Sequence, residues 1–561
     1  MEQSNKKGKN NMAKSVKWWK NAVVYQIYPR SFQDSNGDGI GDLKGIEQRL
    51  PYLQELGIDV IWISPIFRSP MEDNGYDISD YYQVDPIFGT NEDMDSLICE
   101  AGKRGIKIIL DLVVNHCSDE HEWFQRAVED ENSKEAAYFY FVRTKDGKEP
   151  NNWRSNFGGS VWSKLKDGRW YYHTFSPKQP DLNWENPLLR QEIYKMINWW
   201  MEKGIAGFRI DAITFIKKDL TFASVEMDDK KRYPVENLEN YPGIEKFLQE
   251  LKKETFDKFD CLTVAEAPGV DEESFESYAG ESGYFSMIFD FSWENMEEEA
   301  DKSKPEAVER LKKRIFNSQC FNSRHGWCGV FLENHDQSRC LNKYLEEKDR
   351  NRYSASALAT LYFFLHGTPY IYEGQEIGMK NAKWNSIDEM MDVRAKITWK
   401  ERVEQGEDGQ EVLKYFSELG RDNARTPMQW NDSENAGFTT GKPWMKVQEN
   451  YREINVAKQQ NETDSLLAYY KKLIKLRKCE KLADVMSKGD FCPVFEEKEG
   501  MIAYKRTYAD KEALVLVNLL NQDQILSWEW GTGKEILLNN YKDIRMQDQK
   551  IVFYPYQAIV L

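Results

Sequence analysis

The chain of 561 residues is too long for one simple core and long enough for two or three domains. Its 40% hydrophobic and 30% charged residues are the composition of a soluble globular protein, and a formal net charge of −17 disfavours nucleic acid and anionic membranes as partners. No apolar run reaches the roughly 18 residues a membrane span needs, so no membrane association is expected.

The first stretch, MEQSNKKGKNNMAKSVKWWKN, is polar and basic and lacks the apolar segment of a secretion signal. Residues 1–16 read as a disordered tail. Eight cysteines are scattered without a CxxC pair or a regular framework, which points to reduced thiols and a cytoplasmic location.

Eight short β-branched and aromatic runs follow in order: VVYQIYP (23–29), DVIWISPIF (59–67), IKIILDLVVNH (106–116), GFRIDAI (207–213), CLTVAEA (261–267), YFSMIFDF (284–291), GVFLENHD (329–336) and TPYIYEG (368–374). Amphipathic helix patterns such as GIEQRLPYLQELG and NEDMDSLICEAGKRG separate them. Eight strands alternating with helices predict an α/β fold, a closed parallel (β/α)8 barrel of the TIM type. Two gaps are too long for ordinary connections. Residues 117–187, rich in aromatics, Asn and Gly, read as a small domain inserted after strand 3, and 380–455 as a second excursion after strand 8. Barrel residues are therefore 17–116 and 188–482. Short alternating runs from 483 to 561 predict a C-terminal antiparallel β-sandwich domain. The acidic runs EDENSKE and ENMEEEADKSKPE read as solvated helix faces.

Residues i and i+2 of a strand share a face, so Arg209 and Asp211 point the same way near the C-terminal end of strand 4. That end of a barrel carries catalytic groups. Glu266 and Asp336 end two further strands, so three carboxylates converge on one mouth. A single acid there is often a structural ion pair, but three beside Arg and His suit glycoside cleavage: one attacks the anomeric carbon and another protonates the leaving oxygen. Arg209 is expected to hold Asp211 ionised. Glu266, flanked by Ala265 and Ala267, suits a drier setting for the acid.

The ordered set DLVVNH, GFRIDAI, TVAEA and ENHD resembles the four signature regions of glycoside hydrolase family 13, the α-amylase family. The flanking VVYQIYPRSFQDSNGDGIGDLKGI, DNGYDISDYYQVDPIFGT, FSPKQPDLNWENP and RDNARTPMQWN resemble its oligo-1,6-glucosidase and α-glucosidase subgroup. The resemblance runs from about residue 17 to the C-terminus. It implies Asp211 as nucleophile, Glu266 as general acid/base and Asp336 as the third acid, which grips sugar hydroxyls. It also implies that His116, Arg209 and His335 bond the sugar of the first subsite, and that Asp73, Tyr76 and Arg425 close that subsite around a terminal glucose. Phe175 and Gln179 of the inserted domain would line the entrance. The partner is then a short oligosaccharide, cleaved from its end. Oligomeric state is open, with a monomer the simplest expectation.

In DSNGDGIGD, oxygen ligands fall at alternate positions: Asp34, Asn36, Asp38, the Ile40 carbonyl and Asp42. The twelfth position, Gly45, lacks the Glu of an EF-hand, and a metal-free Asx- and Gly-rich turn is the alternative. Relatives bind Ca2+ in such a loop, so the resemblance implies a structural Ca2+; no organic cofactor is expected. His116, Cys117 and His121 fit no common zinc framework.

Four positions depart from the family pattern. Ala212 follows the expected nucleophile, where relatives that prefer α-1,6 bonds usually carry Val; a smaller residue there implies tolerance of α-1,4 bonds and sucrose. Glu373 and Gln375 in YIYEGQEIGM stand in the reverse of the usual order, and Cys328 stands where relatives often have a polar residue. Sucrose isomerases and trehalose-6-phosphate hydrolases share the motifs. An isomerase excludes water with an aromatic entrance, for which Phe291 is a candidate, and a phosphate-reading enzyme needs a cationic first-subsite wall, which the sequence does not mark. Transporter heavy chains of the same fold carry a membrane anchor and often lose the acids, and neither applies here.

Overall fold

The structure is a computed structural model that describes residues 16–227, 232–293, 301–531 and 533–561. The tail over 1–15, the segment 228–231, the acidic stretch 294–300 and Thr532 lie outside the described residues.

All eight runs form strands: β1 (Val24–Ile27), β2 (Val60–Ile63), β3 (Lys107–Val113), β4 (Gly207–Asp211), β5 (Leu262–Ala265), β6 (Met287–Phe289), β7 (Cys328–Val330) and β8 (Thr368–Tyr372). They pair in parallel and in chain order, and β8 closes on β1 through Val24 opposite Tyr370. The strands are shorter than the runs because each run continues into the loop beyond the barrel. Their side chains are buried at nearly every position, as a parallel sheet covered on both faces requires. Val24, Val60, Ile109, Val264, Met287 and Tyr370 pack inside the barrel with Trp62 and Phe289.

A helix follows each strand: α1 (Leu43–Leu56), α2 (Asn91–Lys103), α3 (Pro187–Glu202), α4 (Ile244–Glu254), α5 (Glu272–Ala279), α6 (Pro305–His325), α7 (Arg352–Phe363) and α8 (Leu466–Lys478). Local sequence sets their starts. Thr90 and Asp93 form a reciprocal capping box on α2, and Asn186 followed by Pro187 opens α3.

After β3 the chain makes a short helix, Glu122–Glu129, and a three-stranded antiparallel sheet from Phe141–Val142, Trp170–Tyr172 and Trp162–Lys164. Its aromatic core, including Trp153, Trp162 and Tyr172, also takes in Ala212 and Phe215. The inserted segment therefore packs directly on the loop after β4.

The C-terminal part is antiparallel, with β9 (Asp490–Pro493), β10 (Met501–Tyr508), β11 (Lys511–Asn518), β12 (Gln524–Ser527), β13 (Leu538–Asn539), β14 (Arg545–Gln547), β15 (Lys550–Phe553) and β16 (Ala558–Val560). One sheet has the order β9-β10-β11-β16-β13 and the other β12-β15-β14. Met501, Leu514, Leu516, Ile551, Phe553 and Ile559 share one core between them. No helix among the described residues is long and apolar enough to cross a membrane.

Candidate active site

Strand β4 approaches β5 so closely that a Cβ on Gly207 would lie 1.8 Å from the Leu262 carbonyl oxygen, and φ there is +142°. The strand then carries Arg209 opposite Asp111 of β3 and Val264 of β5. Ala212 turns the chain off β4 in the left-handed region, at φ 44° and ψ 34°.

Arg209 is the hub. Its Nη1 donates to Oδ1 of Asp111 and to Oδ1 of Asp211, both at 2.7 Å, and its Nη2 donates to Oε2 of Glu266 at 2.7 Å. The same Glu266 oxygen accepts the Ala212 amide at 3.1 Å. Burial pushes the Asp211 carboxyl well up; Arg209 pulls it down, and Glu266, Asp111 and Asp336 push it up again. The expectation that Arg209 holds the Asp211 pKa down is thus corrected. The guanidinium is divided among three carboxyls and does not offset burial.

Asp336 is governed the other way. Arg425 Nη2 and Arg421 Nη1 donate to its Oδ1 at 2.9 and 3.2 Å. Burial pushes this carboxyl up, but His335, Arg421, Arg425 and Arg209 outweigh it and hold it well below the usual carboxylate range. Burial lowers His335 to about 3, so the ring is neutral near pH 7 and the two arginines carry the charge. The Gln26 amide meets His335 Nδ1 at 2.8 Å, which leaves the proton on Nε2. That nitrogen faces the Tyr76 hydroxyl at 2.5 Å and Asp336 Oδ2 at 3.1 Å, and Tyr76 donates onward to Asp111 Oδ2 at 3.0 Å.

Arg421 also bonds Asp73, at 3.3 Å, and Asp392. It ties the loop after β2 to the loop after β7 and to the excursion after β8. His116, lowered to about 4 by burial, bonds the Tyr76 carbonyl at 3.0 Å.

Asp73, Tyr76, His116, Phe175, Asp211, Ala212, Glu266 and Asp336 line one cavity of about 190 Å3. Arg209, His335 and Arg425 do not line it; each is buried and bonded to a residue that does. Gln179 is corrected from the entrance to the wall behind. It is fully buried and donates to Asp73 Oδ2 at 3.1 Å. Phe291 is corrected as well: it packs against Phe289 and Phe331 on the barrel interior, at 6.2 and 5.7 Å between ring centroids. The aromatic rings that line the cavity are Tyr76, Phe157, Phe175 and Phe215.

Sequence reasoning missed Asp111, Asn156, Phe157, Phe215, Glu239, Pro268, Arg394 and Arg421. Asp111 and Arg421 open DLVVNH and RDNARTP, so both stood inside motifs already singled out. The reversed pair at 373 and 375 also gains an account. Gln375 donates to the hydroxyls of Tyr362 and Tyr470 at 3.0 and 2.8 Å, while Glu373, pushed up by burial, accepts the Tyr28 amide at 2.8 Å.

In the loop 34–42, side-chain oxygens turn back onto loop amides. Asp34 accepts from Asn36, Gly37 and Gly39, Asn36 from Asp38, and Asp38 from Ile40. Asp42 caps α1 through Gly45 and accepts from Ser35. Among the described residues no group of three or more His, Cys, Asp or Glu side chains is gathered as a metal site. His121 instead accepts the Trp123 amide at 3.1 Å.

Comparison with known proteins gives consistent results. The chain is 43% identical to an oligo-1,6-glucosidase of Bacillus cereus, over 97% of this chain and 99% of that one. Among solved structures it is similar to the trehalose-6-phosphate hydrolase of Bacillus licheniformis, at 38% identity and a TM-score of 0.86, over 97% of this chain and 99% of that one. It is also similar to the trehalulose synthase MutB of Pseudomonas mesoacidophila MX-45, at 36% identity and a TM-score of 0.90 with the same coverage. The SusG C-terminal domain of α-amylases matches residues 501–560. The alpha amylase catalytic domain matches residues 26–487, and the chain belongs to that family, the glycoside hydrolases of family 13.

Proposed function

We propose that the protein is a retaining, exo-acting α-glucosidase that releases glucose from the non-reducing end of short α-1,6- and α-1,4-linked oligosaccharides such as isomaltose and maltose, with sucrose a further substrate. The observation that carries this reading is the fork of Arg209, which brings Asp211 and Glu266 to one cavity with Asp336. The Arg421 bridge between Asp73 and Asp336 supports cleavage at chain ends, because it blocks one side of the cavity.

In this reading Asp211 attacks the anomeric carbon and forms a covalent glycosyl-enzyme. Glu266 protonates the leaving oxygen, then takes a proton from water in the second step. Asp336, held ionised by two arginines, bonds sugar hydroxyls as the oxocarbenium-like state develops. His116, Tyr76 and Asp73 bound the first subsite; from behind, His335 holds Tyr76, Arg209 holds Asp211 and Glu266, and Arg425 holds Asp336.

We divide the chain as the sequence suggests, with the barrel over 17–116 and 188–482, the insertion over 117–187 and the β domain over 483–561. All eight cysteines are free thiols, which supports a cytoplasmic enzyme. The loop 34–42 is our candidate for a structural Ca2+. It keeps oxygen-bearing residues at alternate positions, and it is tied to the excursion after β8 by the Thr439–Asp34 bond. A Cβ on Gly39 there would lie 1.8 Å from the Lys442 carbonyl oxygen, so the turn is built for glycine.

The test is product analysis on isomaltose, maltose, sucrose and trehalose 6-phosphate side by side. Free glucose from isomaltose or maltose is expected. Conversion of sucrose to an isomeric disaccharide with little free glucose would make the enzyme an isomerase instead.

A further inference from the structure

Glu239 has no role in the reading above. It follows the turn Val235–Leu238 and lines the same cavity as Glu266. Its Oε2 lies over Gly269, where a Cβ would come within 2.7 Å, three residues beyond Glu266. The next residue pins this segment on both sides. The Asn240 amide donates to the Thr214 carbonyl at 2.9 Å, its side-chain amide donates to the Pro268 carbonyl at 3.3 Å, and it accepts the Tyr278 hydroxyl at 2.7 Å. So Glu239 is placed by the loops after β4 and β5, the two that carry the expected nucleophile and acid. Its own carboxyl makes no hydrogen bond or ion pair among the described residues. A half-buried carboxyl, fixed by its backbone yet without a partner, is left to bond whatever enters the cavity.

The charges around it limit that ligand. The cavity is lined by five carboxyls, Asp73, Asp211, Glu239, Glu266 and Asp336, and by two guanidiniums, Arg394 and Arg421. Arg421 is already shared among Asp73, Asp336 and Asp392. The groups that bear on Glu239 are Glu236 and Glu266; burial first, and then these two, push its carboxyl up to about 7. Since Glu266 is the group that meets the leaving oxygen, a carboxyl lying over Gly269, three residues beyond it, meets the leaving sugar.

We propose that Glu239 is a specificity-determining residue on the leaving-group side of the cavity, where its carboxyl hydrogen-bonds an uncharged leaving sugar and disfavours one that carries a phosphate. The inference rests on the α-glucosidase reading of this site. It separates the protein from an enzyme that reads a phosphorylated sugar by a repulsive element, not only by lack of an attractive one.

The experiment compares trehalose with trehalose 6-phosphate, which differ only in the phosphate, as competitors of isomaltose hydrolysis at pH 6 and pH 8. Wild type, Glu239→Gln and Glu239→Asp are used, with thermal melting to check folding. In wild type the inhibition constant for the phosphorylated sugar is expected to be at least about tenfold above that for trehalose. That ratio should grow from pH 6 to pH 8 as Glu239 ionises. Glu239→Gln should lower the ratio at least about threefold at pH 8 and leave only the smaller pH dependence of the phosphate's own ionisation near pH 6, while Glu239→Asp keeps the wild-type ratio and its pH dependence. An unchanged ratio in a folded Glu239→Gln, equal or tighter wild-type binding of the phosphorylated sugar, or no binding of trehalose would each overturn the inference. Wild type that cleaves neither isomaltose nor maltose is a separate result, which removes the glucosidase reading and this inference with it.

Discussion

Arg421 and Asp336 are joined at 3.2 Å, although their positions in the chain are 85 residues apart. The contact sits in a chain of charges, because Arg421 also reaches Asp73 and the buried Asp392. Replacing Arg421 with Ala would strand Asp392 without its cation. Breaking such a buried pair costs about 3–5 kcal/mol, so a clear drop in melting temperature is expected. Arg421→Lys keeps a charge but loses the fork. Its kcat/KM on isomaltose should fall by about 100-fold with the fold retained. Wild-type kcat/KM in a folded Arg421→Lys would show that Arg421 is a bystander.

Asp211→Asn separates catalysis from stability. Loss of the nucleophile should lower kcat by at least about 10,000-fold. Asp211 has its folded-state pKa raised, so its contribution to stability is present at low pH, where it is protonated, and is lost as pH rises through that value. A neutral amide removes this loss while Arg209 keeps Asp111 and Glu266. The variant should therefore melt about 2 °C above wild type at pH 8 and show a smaller difference at pH 4. Substantial hydrolysis by a pure sample, or a lower melting temperature at pH 8, would contradict the assignment.

The acid limb of the wild-type kcat/KM profile should lie above the ordinary Asp value of about 3.9. Asp211 must lose its proton to attack, and burial among other carboxyls raises the pH at which it does so. Asp336 has the opposite sign. Its depressed pKa keeps it ionised throughout this limb, and its share of stability is lost only as pH falls through the folded value, below the ordinary carboxylate range. An acid limb at or below 3.9 would mean that the group controlling it is not a raised carboxyl.

The barrel was legible because parallel strands covered on both faces read as continuous apolar runs, and all eight form strands in order. The three acids were legible because each ends such a run. Residues on irregular segments were not. Glu239 sits after a turn in a segment with no periodicity, so nothing local marks it as facing Glu266. Phe291 was misplaced because a strand-end aromatic can point into the barrel as readily as out of its mouth, and here it packs on Phe331. The direction of the Asp211 shift was misread because sequence shows the neighbour at i−2 but neither the burial nor the sharing of Arg209 with Asp111.

If the loop 34–42 holds Ca2+, chelation should remove the energy of binding to the folded state. Thermal melting with EDTA should then fall by several degrees, and elemental analysis should find about one Ca2+ per chain. Activity at 25 °C should persist, because this loop is separate from the cavity residues. Melting unaffected by EDTA together with no bound metal would leave a loop closed by its own amides, as the bonds to Asp34 and Asp38 already describe.

Ala212 joins backbone strain to specificity. It lines the cavity beside Phe175 and Phe215, and its amide holds Glu266 at 3.1 Å. Ala212→Val would add two methyl groups to the wall that meets the leaving sugar. One methylene-scale change is worth about 1–3 kcal/mol of discrimination, so the ratio of kcat/KM for isomaltose over maltose should rise about tenfold. The same substitution puts a β-branched side chain at φ 44°, which costs roughly 1–2 kcal/mol. A lower melting temperature should accompany the shift in ratio. Stability lost with no change in ratio would assign Ala212 to the turn alone; a changed ratio at wild-type stability would show that the turn relaxes to accept Val. Ala212→Gly supplies the control, since it keeps the left-handed turn and opens the wall further, so the ratio should move toward maltose without the loss that Val brings.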